Sequence, residues 1–315
     1  MQDTHWKCAL PLSPNLRGAL FMVVAMIGFT ISDAITKYLS ESMSIAQVML
    51  VRGVFATLVV GALAWQRGAF ALPRSMLHPL VGLRVLGEAS ATLTFFIALS
   101  QLPIANVSAV QQALPLAVTM GAALFFGEQV GWRRWLAITA GFAGVLVIVR
   151  PGFEGYNAYF LLVLFCVCLC TVRDLATKKI PQAIPTLLIS TVTSLAVTLT
   201  GAAMLHPMGG WTPMSLDSIA LLVVGAMLLL VGYQFIIKSL RIGDISYIAP
   251  FRYTSLLAAI VLGILVFGEF PDTPMIVGSL MIVGSGLYTL YRERKVGRGK
   301  AAAESTGPAM APDGI

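Results

Sequence analysis

Charge is scarce in this chain: Asp, Glu, Lys and Arg make up 11% of its 315 residues, against 57% that are hydrophobic. So little charge excludes a soluble globule of ordinary proportions, because the polar surface cannot cover so much apolar material. Histidine is also rare, and His5, His78 and His206 all fall in loops or tails. With no HExxH pair, no serine nucleophile elbow and no Walker loop, the sequence lacks the group sets that enzymes of those classes require. There are four cysteines. Cys166, Cys168 and Cys170 lie two apart on an expected helix, so the middle one points away from the other two. They cannot converge on one metal ion, and neither a metal nor a cofactor is expected.

What is present is a series of apolar runs. A helix crossing ~30 Å of hydrocarbon needs about 20 residues. Runs of that length predict ten spans, at 18–38, 43–65, 79–99, 104–126, 133–149, 156–176, 182–204, 216–237, 245–268 and 274–291. The expected fold class is therefore an all-α membrane protein in contact with the lipid bilayer. Residues 1–16 contain two prolines and no cleavable signal, so they read as a short N-terminal segment. Residues 293–315 read as a disordered polar tail.

The cations orient the array. With a cytoplasmic N-terminus, the inner segments carry Lys7, Arg17, Arg67, Arg74, Arg133, Arg134, Lys178, Lys179, Lys238, Arg241, Arg292, Arg294, Lys295, Arg298 and Lys300, leaving Lys37 and Arg150 outside. That asymmetry places both termini in the cytoplasm. The net charge of +7 then describes loops facing anionic lipid, and no nucleic-acid partner is expected.

The second half repeats the first. Asp33, Thr36 and Lys37 recur as Asp174, Thr177 and Lys178; Leu116, Ala117, Leu124, Phe126, Gly127 and Glu128 recur as Leu257, Ala258, Leu265, Phe267, Gly268 and Glu269, always 141 residues on. Two matches at one offset predict two five-helix repeats, at 17–150 and 151–292. Five is odd, so the second copy enters the membrane inverted. Inverted repeats are a recurrent plan of secondary transporters, in which two similar halves open a central site alternately to each side. A carrier is the expected class, with a channel as the competing one.

Charges inside a span must face the bundle, pair or snorkel. Arg52, Glu88 and Arg252 lie well inside their spans, as candidates for substrate contact or for interhelical ion pairs, with Glu88 or Asp33 as partner carboxylates. Arg84 is read as snorkelling or pairing with Glu88. Asp33 and Asp174, near span ends and repeat-equivalent, read as structural. Pro115 and Pro250 read as helix breaks that free a carbonyl toward protein or a wet cavity. Around them stand Gln111, Gln112, Tyr247, Phe251, Arg252 and Tyr253. Phe95 and Phe96 face them from the third span, Tyr233, Gln234 and Phe235 from the eighth. Amides, phenols and arginine among aromatic faces suit a planar organic solute, although aromatics also simply pack helices.

Gly127-Glu128 and Gly268-Glu269 read as turns, with glycine leaving one helix and the carboxylate near the start of the next. This doubled Gly-Glu, each followed by a glycine-rich span (Gly141, Gly144; Gly278, Gly284, Gly286), resembles the EamA family of the drug/metabolite transporter superfamily over residues 17–292. The resemblance implies a cavity lined by spans 3, 4, 8 and 9, with spans 5 and 10 peripheral. It also implies a multi-pass protein of the bacterial inner membrane, a small metabolite as substrate, and a homodimer as a candidate assembly. One departure is that Pro115 and Pro250 are not equivalent under the 141 offset. The stretch 31–38, Arg52 and the surroundings of Arg252 most resemble bacterial riboflavin importers and S-adenosylmethionine carriers of that family, with exporters of amino-acid-type metabolites as a further alternative. The flat ring of riboflavin suits aromatic walls, and its imide and ribityl groups suit Gln111, Gln112 and an arginine.

Overall fold

The computed structural model describes residues 13–68, 78–128, 130–151, 157–181, 183–242 and 245–296. The segment before residue 13, the tail from 297, and Lys7, Arg74, Arg298 and Lys300 lie outside the described residues. Ten helices are long and apolar enough to cross a membrane. They are α1 (Pro14–Leu39), α2 (Ile45–Gln66), α3 (Pro79–Gln101), α4 (Ile104–Phe126), α5 (Trp132–Val149), α6 (Tyr159–Lys179), α7 (Thr186–Leu205), α8 (Leu216–Leu240), α9 (Ala249–Phe267) and α10 (Thr273–Arg292). All ten expected spans are found, and no strand occurs among the described residues. Bulky side chains such as Leu58 and Leu280, 64% and 68% exposed, face outward, where only lipid can cover them.

Local sequence sets the helix ends. Ser13 and Ser44 side chains accept the amides of Leu16 and Gln47, and Pro14 and Pro79 sit in the first turn, where no amide donor is needed. Gly127 and Gly268 end α4 and α9 in the left-handed conformation, with φ of 66° and 65°, which only glycine adopts without strain.

The largest helix contacts pair α1 with α8, α2 with α7, α3 with α6 and α5 with α10. Exchanging every helix for the one five places away leaves this set unchanged. On the last pair the backbones touch: a Cβ on Gly144 would lie 2.7 Å from the Gly278 carbonyl oxygen, the close small-residue contact of membrane helices.

α4 and α9 are both interrupted. α4 runs as Ile104–Gln111, a turn at 112–113, then Leu114–Phe126. The helical turn Ile245–Ile248 leads into α9, which opens as the 3-10 segment Ala249–Tyr253 and continues as Thr254–Phe267. Starts at 104 and 245 and ends at 126 and 267 are separated by the same 141 residues as the sequence repeat. The two prolines fall at these interruptions: Pro115 sits in the first turn of the segment after 112–113, where its missing donor would be unpaired in any case, and Pro250 sits where the α-helical turn passes into the 3-10 segment.

Candidate functional site

Between the helices lies a central cavity of about 350 Å³, within the usual range for a small-molecule site. Its lining draws on α1, α2, α3, α4, α6, α7, α8 and α9, and among the described residues none of it belongs to α5 or α10. Phe29, Phe95, Phe96 and Tyr233 supply aromatic faces; Thr92, Ser108, Ser190, Thr193, Ser194 and Ser255 supply hydroxyls. Of the expected site residues, Asp33, Arg52, Glu88, Gln111, Gln112, Tyr233 and Arg252 all line this one space.

The charges are arranged differently from the expectation. Glu88 pairs with neither Arg52 nor Arg252. Its Oε2 accepts from Arg173 at 2.7 Å, and Arg173 also donates to Asp174 at 2.8 Å. All three side chains are at most 14% exposed, so the triad is shielded from bulk screening. Among the described residues the second oxygen of Asp174 has no hydrogen-bond partner. Asp174 is thus part of a buried charge cluster behind the cavity wall and not a residue at a helix end. Arg173 escaped the sequence reading, although a charge in an apolar run beside Asp174 was its signal.

Arg52 donates to the Thr36 hydroxyl at 2.8 Å and lies 5.3 Å from the centre of the Phe96 ring. Asp33, read as structural, lines the cavity near it and makes no hydrogen bond or ion pair to a described residue. Arg84 neither snorkels nor pairs with Glu88: it is 1% exposed and donates to Thr193 at 2.7 Å. Gln112 donates to the Ser255 hydroxyl at 2.7 Å, joining the two interrupted helices. Gln111 donates to the Cys166 sulfur at 3.5 Å. Cys166 and Cys170 both line the cavity with sulfurs 4.0 Å apart, while Cys168 is exposed.

Three expected residues lie elsewhere. Phe251 packs in a cluster with Met22, Ala25 and Ile248 and sits 5.9 Å from the Tyr247 ring. Tyr253 lines a smaller space of about 50 Å³ shared with Pro115 and Gly286, and Gln234 lines none of these cavities. Pro250 is likewise outside the cavity lining.

Glu128 and Glu269 occupy the turns expected of them and also make ion pairs. Lys37 reaches Glu269 at 2.6 Å and the Leu102 carbonyl at 2.5 Å, and the other oxygen of Glu269 accepts the Ile104 amide at 3.0 Å. Lys37, read as a cation outside the membrane, is therefore buried. Lys178 pairs with Glu128.

Residues 16–150 match the EamA-like transporter family. Similar proteins include the S-adenosylmethionine uptake transporter of Rickettsia prowazekii, 26% identical over 290 residues, which spans 90% of this chain and 96% of its own length. The riboflavin transporter of Vibrio cholerae is 26% identical over 289 residues, with coverages of 90% and 96%. The pseudopaline exporter of Pseudomonas aeruginosa is 25% identical over 272 residues, with coverages of 84% and 93%. A solved crystal structure superposes with a TM-score of 0.59 at 17% identity, over 89% of this chain and 99% of that one; at that identity it bears on the fold alone.

Proposed function

We propose that the chain is a drug/metabolite transporter of the EamA family, a multi-pass membrane transporter and not an enzyme, that it works as an alternating-access carrier of a small organic metabolite, and that the metabolite is riboflavin, taken up across the bacterial inner membrane. We read residues 17–150 and 151–292 as the two inverted repeats and both termini as cytoplasmic. The observation that carries the substrate reading is the wall chemistry of the central cavity. Aromatic faces from α1, α3 and α8 flank a space whose edges bear amides, hydroxyls and Arg52. A flat tricyclic ring stacks on such faces, its imide takes a donor and an acceptor from Arg52 and Asp33, and a polyol chain uses the hydroxyls.

A second reading has its own support. Asp33 is a cavity carboxylate that makes no ion pair with a described residue, which suits a substrate carrying positive charge, and S-adenosylmethionine uptake transporters are among the similar proteins. Identities of 24–26% to relatives with different substrates do not separate the two. Uptake of labelled riboflavin and labelled S-adenosylmethionine, in cells that can neither make nor import them, does. Riboflavin accumulation that is competed by unlabelled riboflavin alone supports the proposal; accumulation of S-adenosylmethionine alone overturns it. Preloaded vesicles should show counterflow, which a channel does not. Arg52→Lys keeps the charge and loses the planar donor fork, so it should weaken apparent affinity while leaving protein level unchanged.

A further inference from the structure

The ion pairs at the two Gly-Glu turns are repeat partners of each other. Lys37 of the first half meets Glu269 of the second; Lys178 of the second meets Glu128 of the first. Each lysine is 141 residues from the other, as is each glutamate. The aromatic residue before each glycine follows the same exchange: Lys37 lies 5.2 Å from the Phe267 ring centre and Lys178 lies 6.0 Å from that of Phe126. Successive spans alternate direction, so the C-terminal ends of α1 and α6 lie at opposite ends of the bundle. The two pairs are therefore the same device placed at both mouths.

They are not in the same state. The Lys37–Glu269 side chains are 10% and 21% exposed, whereas Lys178 and Glu128 are 36% and 43% exposed. The first pair also takes in the carbonyl that ends α3 and the amide that starts α4, tying four helices together at that end. The second is hydrated, and a hydrated pair contributes little. A molecule built from two inverted copies has two conformations related by exchanging the copies. In the exchanged conformation Lys178–Glu128 is the buried pair and Lys37–Glu269 the hydrated one. Opening one latch while closing its equivalent nearly cancels the desolvation cost, which keeps the two conformations close in energy, as a two-state switch requires.

We propose that Lys37–Glu269 and Lys178–Glu128 are the two latches that decide which end of the cavity is open, with the first closed and the second open in this structure. The proposal rests on the carrier reading. Cys166 and Cys170 in the cavity wall report it directly. In full-length protein carrying Cys8→Ser and Cys168→Ser, their labelling by a membrane-impermeant methanethiosulfonate is measured from each face of oriented proteoliposomes. Glu269→Gln should raise the labelling rate from the Lys37 face by about tenfold or more, since it removes a buried interaction present in one state only. Glu128→Gln should shift labelling the opposite way, and the double variant should return the face ratio toward that of the parent. If Glu269→Gln alone fails to fold, Lys37→Gln breaks the same pair while its amide can still donate to the Leu102 carbonyl, and it should raise labelling from the Lys37 face in the same way. Equal labelling of Glu269→Gln and the parent from both faces, or shifts of the two single variants in the same direction, overturns the latch. If the labelling shifts occur while the parent shows no counterflow of any tested solute, the latch stands and the carrier reading fails.

Discussion

Arg173 is the residue whose loss the structure makes most costly. It donates to Glu88 and Asp174 at once, at 2.7 and 2.8 Å, in a setting where its side chain is 7% exposed. Arg173→Leu leaves two carboxylates facing each other across a poorly hydrated space, one of which already has an oxygen without a partner. Breaking a buried pair from one side costs about 3–5 kcal/mol. Glu88→Gln is much milder, about 1–2 kcal/mol, because Arg173 keeps Asp174 and the new amide oxygen can still accept. Neutralising both acceptors in the Arg173→Leu background, with Glu88→Gln and Asp174→Asn, should recover a large part of the loss, since partners in one network are not additive. Thermal unfolding of the purified protein in detergent measures the series. If Arg173→Leu melts with the parent, or if the triple variant melts below Arg173→Leu, these groups are not coupled as drawn.

The proposed topology predicts that a reporter active only outside the cytoplasm is silent when fused after Arg298 and active when inserted at Gly209, between α7 and α8; the reverse pattern would overturn the orientation. Gly268→Ala should destabilise by about 1–2 kcal/mol from backbone strain alone, because φ is +65° and a Cβ there meets nothing within 4 Å. Gly284→Ala is the control: it also meets nothing within 4 Å, has ordinary helical backbone, and should leave the same melting curve unchanged or raised by up to about 1 kcal/mol.

The spans were legible because length and apolarity are local properties that the bilayer imposes directly. Side-chain pairing is not local. The sequence reading set the sixth span at 156–176 and so left Arg173 near its edge, whereas the helix runs to Lys179 and places Arg173 nearly two turns inside. The 3-10 segment misled in another way. At three residues per turn, consecutive side chains diverge by about 120°, so Phe251, Arg252 and Tyr253 turn toward the α1 cluster, the cavity and Gly286 respectively. One run of three polar and aromatic residues could not all serve one site. Gln234 fails for the same reason, since it follows cavity-lining Tyr233 by about 100° of helix. The Lys–Glu pairs were half visible: lysine and glutamate recurred at one offset, but their crosswise pairing depends on how α1 and α6 meet the turns after α9 and α4.

Comparison of equivalent positions divides the molecule into what is held twice and what is held once. Turns, helix breaks and Lys–Glu pairs occur in both halves. The cavity charges, apart from Asp33 with its partner Asp174, do not: Arg52 corresponds to Thr193, Glu88 to Leu229, Arg173 to Ser32 and Arg252 to Gln111. A frame that must take up two exchanged conformations gains from duplication, because each copy then occupies the environment the other has left. A substrate is chemically lopsided and meets only one of the two copies at each contact, so duplicated charges would confront it with like groups on both sides. Single-copy arginines and carboxylates avoid that. In the proposed carrier they would also give the cavity a polarity along which a planar solute has one favoured orientation, while the duplicated frame around it stays free to open at either end.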